Sequence, residues 1–198
     1  MNVVKLNGYI KDIDFSHEIS GIRYGKANLI VPNKNDEDII SLVYKEHVNH
    51  YAVGDKISLQ GNLRSYSQQL GDKNKVNIYV FTYFDIPKFE DGYEVSNYVE
   101  LDGRICKMNP IRNYDNGSSS LSFILANNIF LENKKGKINN YIPVVCWDDN
   151  ATKLKDLSIS TQIKIYGKLH SRTYKKYVND GLEIKTAHEV ILDKFELL

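Results

Sequence analysis

The sequence predicts an all-β protein built from two copies of one small barrel. Short runs in which apolar and polar residues alternate are separated by glycine, asparagine and aspartate, which is typical of strands joined by turns. Two segments of the first half recur in the second half with the same order and parity. Glycines recur at matching positions of these segments, as expected where a barrel strand coils sharply.

Two pairs of segments carry the repeat. Residues 3–11, VVKLNGYIK, match residues 98–107, YVELDGRICK, at an offset of 95 residues, and residues 53–65 match residues 160–171 at an offset of 106. The residues predicted to face the two cores are Val4, Leu6, Gly8, Ile10, Ile57, Leu59, Gly61 and Leu63 in the first copy, and Val99, Leu101, Gly103, Ile105, Ile163, Ile165, Gly167 and Leu169 in the second. Internal repetition of this kind indicates two copies of one domain.

Each copy contains five predicted strands. They lie near residues 3–14, 23–31, 38–44, 56–66 and 75–86 in the first copy, and near 97–108, 118–131, 138–147, 162–174 and 182–197 in the second. A short helical piece is predicted between the third and fourth strands of each copy, at 45–50 and in the segment DDNATKLKDL. This arrangement is that of an OB-fold, a five-stranded Greek-key barrel.

The predicted architecture is therefore two tandem OB-folds. We place the first domain at residues 1–86 and the second at 97–198, with a linker at 87–96 that mixes proline, glycine and acidic residues. A single large β-sandwich is the alternative, but it would not explain the repeat.

Composition favours an ordinary globular protein. Hydrophobic residues make up 42% and charged residues 26% of the chain, and no stretch approaches the about 20 apolar residues of a membrane span. The amino-terminal segment MNVVKLNGYI lacks the pattern of a signal peptide, so we expect a cytoplasmic protein with no membrane partner. Net charge differs between the halves: residues 1–96 have 11 basic and 13 acidic side chains, or −2, and residues 97–198 have 15 and 12, or +3.

Motifs for catalysis and cofactor binding are absent from the sequence. There is no phosphate-binding loop, HExxH zinc motif or GxSxG nucleophile motif. The two cysteines, Cys106 and Cys146, are isolated and have no neighbouring histidine cluster. We therefore predict a non-enzymatic protein with no cofactor and no metal.

The segment YIPVVCW, residues 141–147, gives one strand two different faces. Successive side chains of a strand point to opposite sides, so Ile142, Val144 and Cys146 can fill a core while Tyr141 and Trp147 face outward. Exposed aromatic rings are not needed for folding, which indicates that a ligand binds on them.

Several segments of the chain carry a resemblance to a known family. They are YVELDGRICKMNPIRNYDNGSSSLSFILANN, YIPVVCW, IKIYGKLHSRTYKK and EIKTAHEVILDKFEL in the second copy, and GDKISLQGNLRSY in the first. With these segments the second copy resembles bacterial single-stranded DNA-binding proteins. The resemblance implies tandem OB-folds that coat single-stranded DNA without cofactor or metal, in replication, recombination or repair. It also implies oligomers with four OB-folds, a number that a homodimer of this chain would supply.

The resemblance implies that several aromatic residues stack on bases. Tyr141 and Trp147 fall at the stacking positions of the third strand, Tyr174 at that of the hairpin between strands four and five, and Phe130 more loosely at the end of the second strand. In the first copy Ile39 and Lys45 occupy the places of Tyr141 and Trp147. We therefore expect the second copy to dominate binding.

Basic residues near the expected groove can neutralise phosphates. Strand parity places Lys168 and Arg172 on the outward face of the fourth strand, and Arg64 and Tyr66 on the equivalent face of the first copy. The remaining candidates lie in loops and are Arg112, Lys134, Lys135, Lys137, Lys175 and Lys176.

The predicted function is sequence-tolerant binding of single-stranded DNA. Two alternatives stay open from the sequence. One is a protein-interaction adaptor whose aromatic residues meet a replication or recombination protein, and the other is an RNA binder that recognises the 2′-hydroxyl group.

Overall fold

The computed structural model describes residues 1–33, 36–70, 73–85, 97–130, 136–178 and 181–198, and the predicted linker at 87–96 lies outside them. Within the described residues, nearly all regular structure is β. The first half contains strands β1 (Asn2–Ile19), β2 (Ile22–Pro32), β3 (Glu37–Lys45), β4 (Lys56–Leu70) and β5 (Lys73–Asp85). The second half contains β6 (Asn97–Met108), β7 (Arg112–Asn113), β8 (Ser119–Phe130), β9 (Lys137–Trp147), helix α1 (Asp148–Leu154), β10 (Gln162–Val178) and β11 (Gly181–Leu197).

Each half closes into a five-stranded barrel with the same topology. In the first barrel the hydrogen-bonded order is β1-β2-β3-β5-β4 and back to β1, with β3 and β5 parallel. In the second barrel the order is β6-β8-β9-β11-β10 and back to β6, with β9 and β11 parallel. The predicted tandem OB-folds are confirmed.

The repeated segments supply the cores that their parity predicted. Val4, Leu6, Leu59 and Leu63 are fully buried in the first barrel, as are their counterparts in the second, which include Val99 and Leu101. Ile57, the second residue of β4, is only partly buried. Burial of each such side chain stabilises the fold by about 1.5–3 kcal/mol.

The helix between the third and fourth strands differs between the barrels. In the second barrel α1 packs Ala151 and Leu154 into the core. In the first barrel the helix predicted at 45–50 is a single turn, in which the Asn49 N–H donates to the Lys45 carbonyl oxygen over 3.1 Å. The connection spans only residues 46–55, compared with 148–161 in the second barrel, so it has less chain from which to form a helix.

The two barrels are joined edge to edge by β1 and β6. These strands pair antiparallel, and Val4 lies opposite Val99. The offset between the repeated segments is 95 residues, so these two valines are equivalent positions that face each other. Equivalent positions can be antiparallel partners only about a local two-fold axis, so the joint between the barrels has two-fold symmetry.

A second set of contacts follows the same two-fold symmetry. The Tyr141 N–H donates to Ser65 Oγ over 2.8 Å, and the Ile39 N–H donates to Ser171 Oγ over the same distance. In the reverse direction the Ser65 N–H donates to Asn140 Oδ1, as the Ser171 N–H donates to Asp38 Oδ1. Each barrel thus holds the third strand of the other.

The symmetry is broken by charge at one of these contacts. Asp38 is buried and bonds His170 Nδ1 at 2.8 Å as well as the Ser171 N–H, whereas the equivalent residue of the other contact is a neutral asparagine. Beside it, His188 Nε2 donates to the Ile39 carbonyl oxygen over 2.8 Å. Two histidines of the second barrel therefore bind the third strand of the first.

The burial of His188 predicts a pH-dependent stability. Burial lowers the pKa of this imidazole, with nearby Lys75 acting in the same direction and the Ile39 hydrogen bond and Asp38 opposing it. The neutral imidazole is favoured in the folded state. The contribution of His188 to the free energy of unfolding is therefore complete above the ordinary pKa of about 6.5, and it declines as the pH falls below that value. We expect His188→Gln, whose amide nitrogen can keep the hydrogen bond, to lose less stability between pH 7.5 and 5.5 than the wild type in urea unfolding. Equal losses would contradict this role.

Candidate nucleic-acid interface

The outward face of the β8–β9 ribbon carries two exposed aromatic residues. Tyr141 and Trp147 are 44% and 43% exposed, and the alternate residues Ile142, Val144 and Cys146 are buried. The strand alternates because the inward positions fill the barrel, which leaves both rings on the outside. The two residues are six positions apart, or about 20 Å along the strand.

An apolar strip connects the two aromatic residues. Ile124 and Pro143 are cross-strand neighbours at the centre of the ribbon, and Val145 follows on the same side. All three are only partly buried. The ribbon therefore offers a continuous apolar surface with a flat ring near each end.

Trp147 is supported by a second ring that sequence reasoning missed. Tyr114 lies in the loop between β7 and β8, and its ring centroid is 5.9 Å from that of Trp147 at an interplanar angle of 27°. Its hydroxyl group is 3.0 Å from Ser120 Oγ, and Ser120 is the cross-strand neighbour of Trp147. The sequence did contain a signal for Tyr114. This tyrosine directly precedes the turn sequence DNG and follows the candidate Arg112 by two positions.

The free end of the same ribbon presents one aromatic and one basic residue. Phe130 is 73% exposed and lies opposite Lys137, the first residue of β9. Lys137 is exposed as well. This pair can contact a ligand only if the ligand continues along the ribbon beyond Tyr141.

Tyr174, on the hairpin formed by β10 and β11, has one cation from each barrel beside its ring. Lys75 Nζ, from the first barrel, lies 5.5 Å from the ring centroid, and the Arg172 guanidinium carbon lies 5.8 Å from it. Arg172 also reaches Glu189, with 3.6 Å between Nε and the carboxylate. Part of its charge is therefore balanced within the protein.

Some of the other basic candidates are described by the structure and are exposed, and the rest lie outside the described residues. Lys168 is exposed on β10. The predicted loop positions of Lys175, Arg112 and Lys137 are wrong, because β10 continues to Val178 and the other two residues begin strands β7 and β9. Lys134 and Lys135 lie outside the described residues, and so does the side chain of Lys176.

The first barrel has a different set of side chains on the equivalent face. Ile39 and Lys45 stand at the places of Tyr141 and Trp147, because β3 pairs with β2 as β9 pairs with β8. Arg64 lies over the ring of Phe81 at 5.2 Å. Tyr66 is 55% exposed, and its ring is 6.1 Å from that of Tyr79.

A further aromatic pair lies at the other end of this face. His17 and Tyr24 stack with ring centroids 4.6 Å apart and planes 10° from parallel, and Tyr24 approaches Phe81 at 6.1 Å. Sequence reasoning gave Tyr24 no role, since the stack depends on the register of the β1–β2 hairpin, in which it pairs with His17.

Between these aromatic groups the first barrel contains a groove with a volume of about 680 Å³. Its floor is the outward face of β2 and β3, and its walls come from β1 and the β4–β5 hairpin. Thr186 and His188 of the second barrel complete the lining. The groove is large enough for a small organic ligand.

Two other kinds of site were sought in the part of the chain that the structure describes. No cluster of three or more His, Cys, Asp or Glu side chains there could hold a metal ion. No helix there is long and apolar enough to cross a membrane.

Comparison with known proteins assigns the chain to a protein family. A model of the single-strand binding protein family matches residues 96–198, which is about half of the chain and includes the whole described second barrel. The chain belongs to the single-strand binding protein family. Proteins of this family bind DNA and are not enzymes, in agreement with the sequence prediction. A search of curated proteins found no significant match.

Two solved structures of family members from Thermus aquaticus have the same fold over the entire chain. One is the wild-type single-stranded DNA binding protein, with a TM-score of 0.73 and 16% identity, covering 100% of this chain and 93% of that one. The other is a deletion mutant of the same protein that also carries a point substitution, with a TM-score of 0.73 and 17% identity, covering 100% and 94%. The first barrel therefore shares the fold although the family model matches only the second.

Proposed function

We propose that this family member binds single-stranded DNA along the β8–β9 face of its second barrel, without sequence preference at that surface. The observation that carries the proposal is the pair of exposed rings, Tyr141 and Trp147, at the two ends of an apolar strip. Every base has a flat face, so stacking on such rings tolerates all four bases and contributes about 1–3 kcal/mol per base.

Each end of the strip has a distinct role in this proposal. At one end a base stacks on Trp147, which Tyr114 holds in place. At the other end Tyr141 is fixed by its backbone hydrogen bond to Ser65, and Phe130 extends the surface. The contact with Tyr114 orders the Trp147 ring in the free protein, which reduces the entropy lost on binding.

Phosphate groups are neutralised at the borders of the face. Lys168, Arg172 and Lys175 lie along β10, and the Arg172 guanidinium group lies beside the ring of Tyr174. Lys137 and Arg112 border the ribbon, and the proposal extends to the predicted residues Lys134, Lys135 and Lys176. Each neutralised phosphate releases counterions, so binding must weaken as salt is added.

The proposed division of labour follows the predicted domains, 1–86 and 97–198 joined by 87–96. The second domain contributes most of the affinity for a thymidine strand, and Arg64 and Tyr66 of the first domain contribute less. We further propose a role in replication, recombination or repair and a cytoplasmic location. We also propose a homodimer, which light scattering tests as twice the chain mass of 22.8 kDa.

Titration with a thymidine oligonucleotide tests the function. Trp147 is the single tryptophan of the chain, so its fluorescence reports on the proposed surface directly. We expect quenching, a mobility shift, and an affinity that falls linearly on a double logarithmic plot against salt concentration. An unchanged tryptophan signal together with no mobility shift would refute the proposal.

Parallel experiments separate the two alternatives. Tighter binding of a uridine ribo-oligonucleotide than of its deoxy counterpart would favour RNA. Loss of a protein partner in Tyr141→Ala and Trp147→Ala variants, with DNA binding intact, would favour an adaptor.

A further inference from the structure

The groove of the first barrel has a polar floor where the second barrel has an apolar strip. Asn28 and Ser41 are cross-strand neighbours on the outward face of β2 and β3. The equivalent neighbours on β8 and β9 are Ile124 and Pro143. Equivalent surfaces of the two barrels therefore differ in whether they can form hydrogen bonds.

A directed chain of hydrogen bonds runs from the polar floor to Asp12 in the β1 wall. Ser41 Oγ donates to Asn28 Oδ1 over 3.1 Å, and Asn28 Nδ2 donates to the two carboxylate oxygens of Asp12 over 2.9 and 3.2 Å. The chain fixes the orientation of the amide, and it ends at a carboxylate. An ionised carboxylate only accepts hydrogen bonds, and a serine hydroxyl that has already donated can only accept another.

All three residues line the groove, whose wall adds a donor and two aromatic rings. Tyr66 and Tyr79 are near neighbours there and give a base an apolar surface. Asn77 lies in the same wall, and its side-chain nitrogen is buried with no hydrogen-bond partner among the described residues. The groove therefore combines an acceptor-rich floor with an unsatisfied amide donor.

We propose that this groove is a base-reading site that prefers bases with an exocyclic amino group over thymine and uracil. The amino group of cytosine, adenine or guanine can donate to Asp12 or Ser41. Thymine and uracil carry a carbonyl oxygen instead, which would oppose those acceptors. The proposal rests on the proposed DNA binding, and it assigns selectivity to the barrel that lacks the two stacking residues of the third strand.

The test compares oligodeoxycytidine with oligodeoxyuridine of equal length, which differ in the exocyclic amino group and the adjacent ring nitrogen. Fluorescence anisotropy is measured on a full-length parent that carries Tyr141→Ala and Trp147→Ala, so that the first barrel dominates. We expect the parent to bind the cytidine strand about 10-fold more tightly. Adding Asp12→Ala should bring the ratio close to one, as should Asn28→Ile, which installs the residue of the second barrel.

Asp14→Ala is the matched control. Asp14 is an exposed carboxylate on the same strand, it pairs with Lys26 over 3.0 Å, and it does not line the groove, so the ratio should stay at about 10-fold. Melting curves verify that each variant is folded.

Three results would overturn the base-reading site. They are equal affinities of the parent for the two strands, a ratio that survives Asp12→Ala, and binding by the wild type that disappears in the parent. Failure of the proposed function is a different result, namely that the wild type binds neither strand.

Discussion

Alanine at both Tyr141 and Trp147 is expected to weaken binding of a thymidine oligonucleotide by about 100-fold, because each substitution removes a stacking surface for a base. Both rings are exposed, so the fold should be unaffected. Anisotropy titration at fixed salt measures the loss, and thermal melting tests that stability is kept.

Tyr9 provides a matched control for this loss. It is 44% exposed, as Tyr141 is, but it lies on β1 of the first barrel, outside the groove lining. Tyr9→Ala should leave affinity within about two-fold of the wild type, as expected of a surface change away from the ligand. Similar losses from Tyr9→Ala and Tyr141→Ala would place the DNA elsewhere.

The same titration tests whether the barrels are unequal. Arg64→Ala combined with Tyr66→Ala should cost less affinity for the thymidine strand than the double substitution at Tyr141 and Trp147. An equal cost would show that the first barrel binds thymidine as strongly as the second.

Gly167→Ala is expected to destabilise the protein by about 3 kcal/mol, at the upper end of the usual cost of overpacking. A Cβ atom on Gly167 would overlap the carbonyl oxygen of Ile191, which belongs to the neighbouring strand β11. The strand has a register shift between Tyr166 and Gly167, where the two backbones come close. Backbone atoms of a paired strand cannot move aside as a flexible side chain can, and urea unfolding measures the result.

Gly117→Ala separates this clash from the general cost of replacing a glycine. Gly117 lies in a turn with a φ of 82°, and nothing lies within 4 Å of its Cβ position. Its substitution should cost only about 1 kcal/mol, from the left-handed backbone conformation alone. If both variants lost the same stability, the close approach of β10 and β11 would not explain the cost of Gly167→Ala.

Much of the fold could be predicted from local pattern. Alternation in the repeated segments assigned Leu6, Leu101 and their counterparts to the cores, and it placed Tyr141 and Trp147 outside. Alternation works here because a closed barrel has one inside, and every strand must direct the same side chains into it. The equivalence of Ile39 with Tyr141 likewise required only the alignment of the two copies.

The network of Asp12, Asn28 and Ser41 was not predicted from the sequence. Each of these residues looks like an ordinary polar position in an alternating strand. Their connection depends on the register of β2 between its two neighbours, and that register joins residues 13 and 16 positions apart. Comparing the two copies position by position would have revealed that Asn28 and Ser41 replace Ile124 and Pro143.

Sequence patterns were enough to predict that this protein consists of two barrels, which side chains fill them, and which strand carries the two outward rings. Those features follow from parity and repetition, which are local properties of a chain. The folded structure was needed to show that Tyr114 stacks on Trp147, that Lys75 of one barrel lies over Tyr174 of the other, and that β1 and β6 join the barrels. These contacts join residues far apart in sequence, and their geometry is set by how closed sheets pack, which periodicity does not encode.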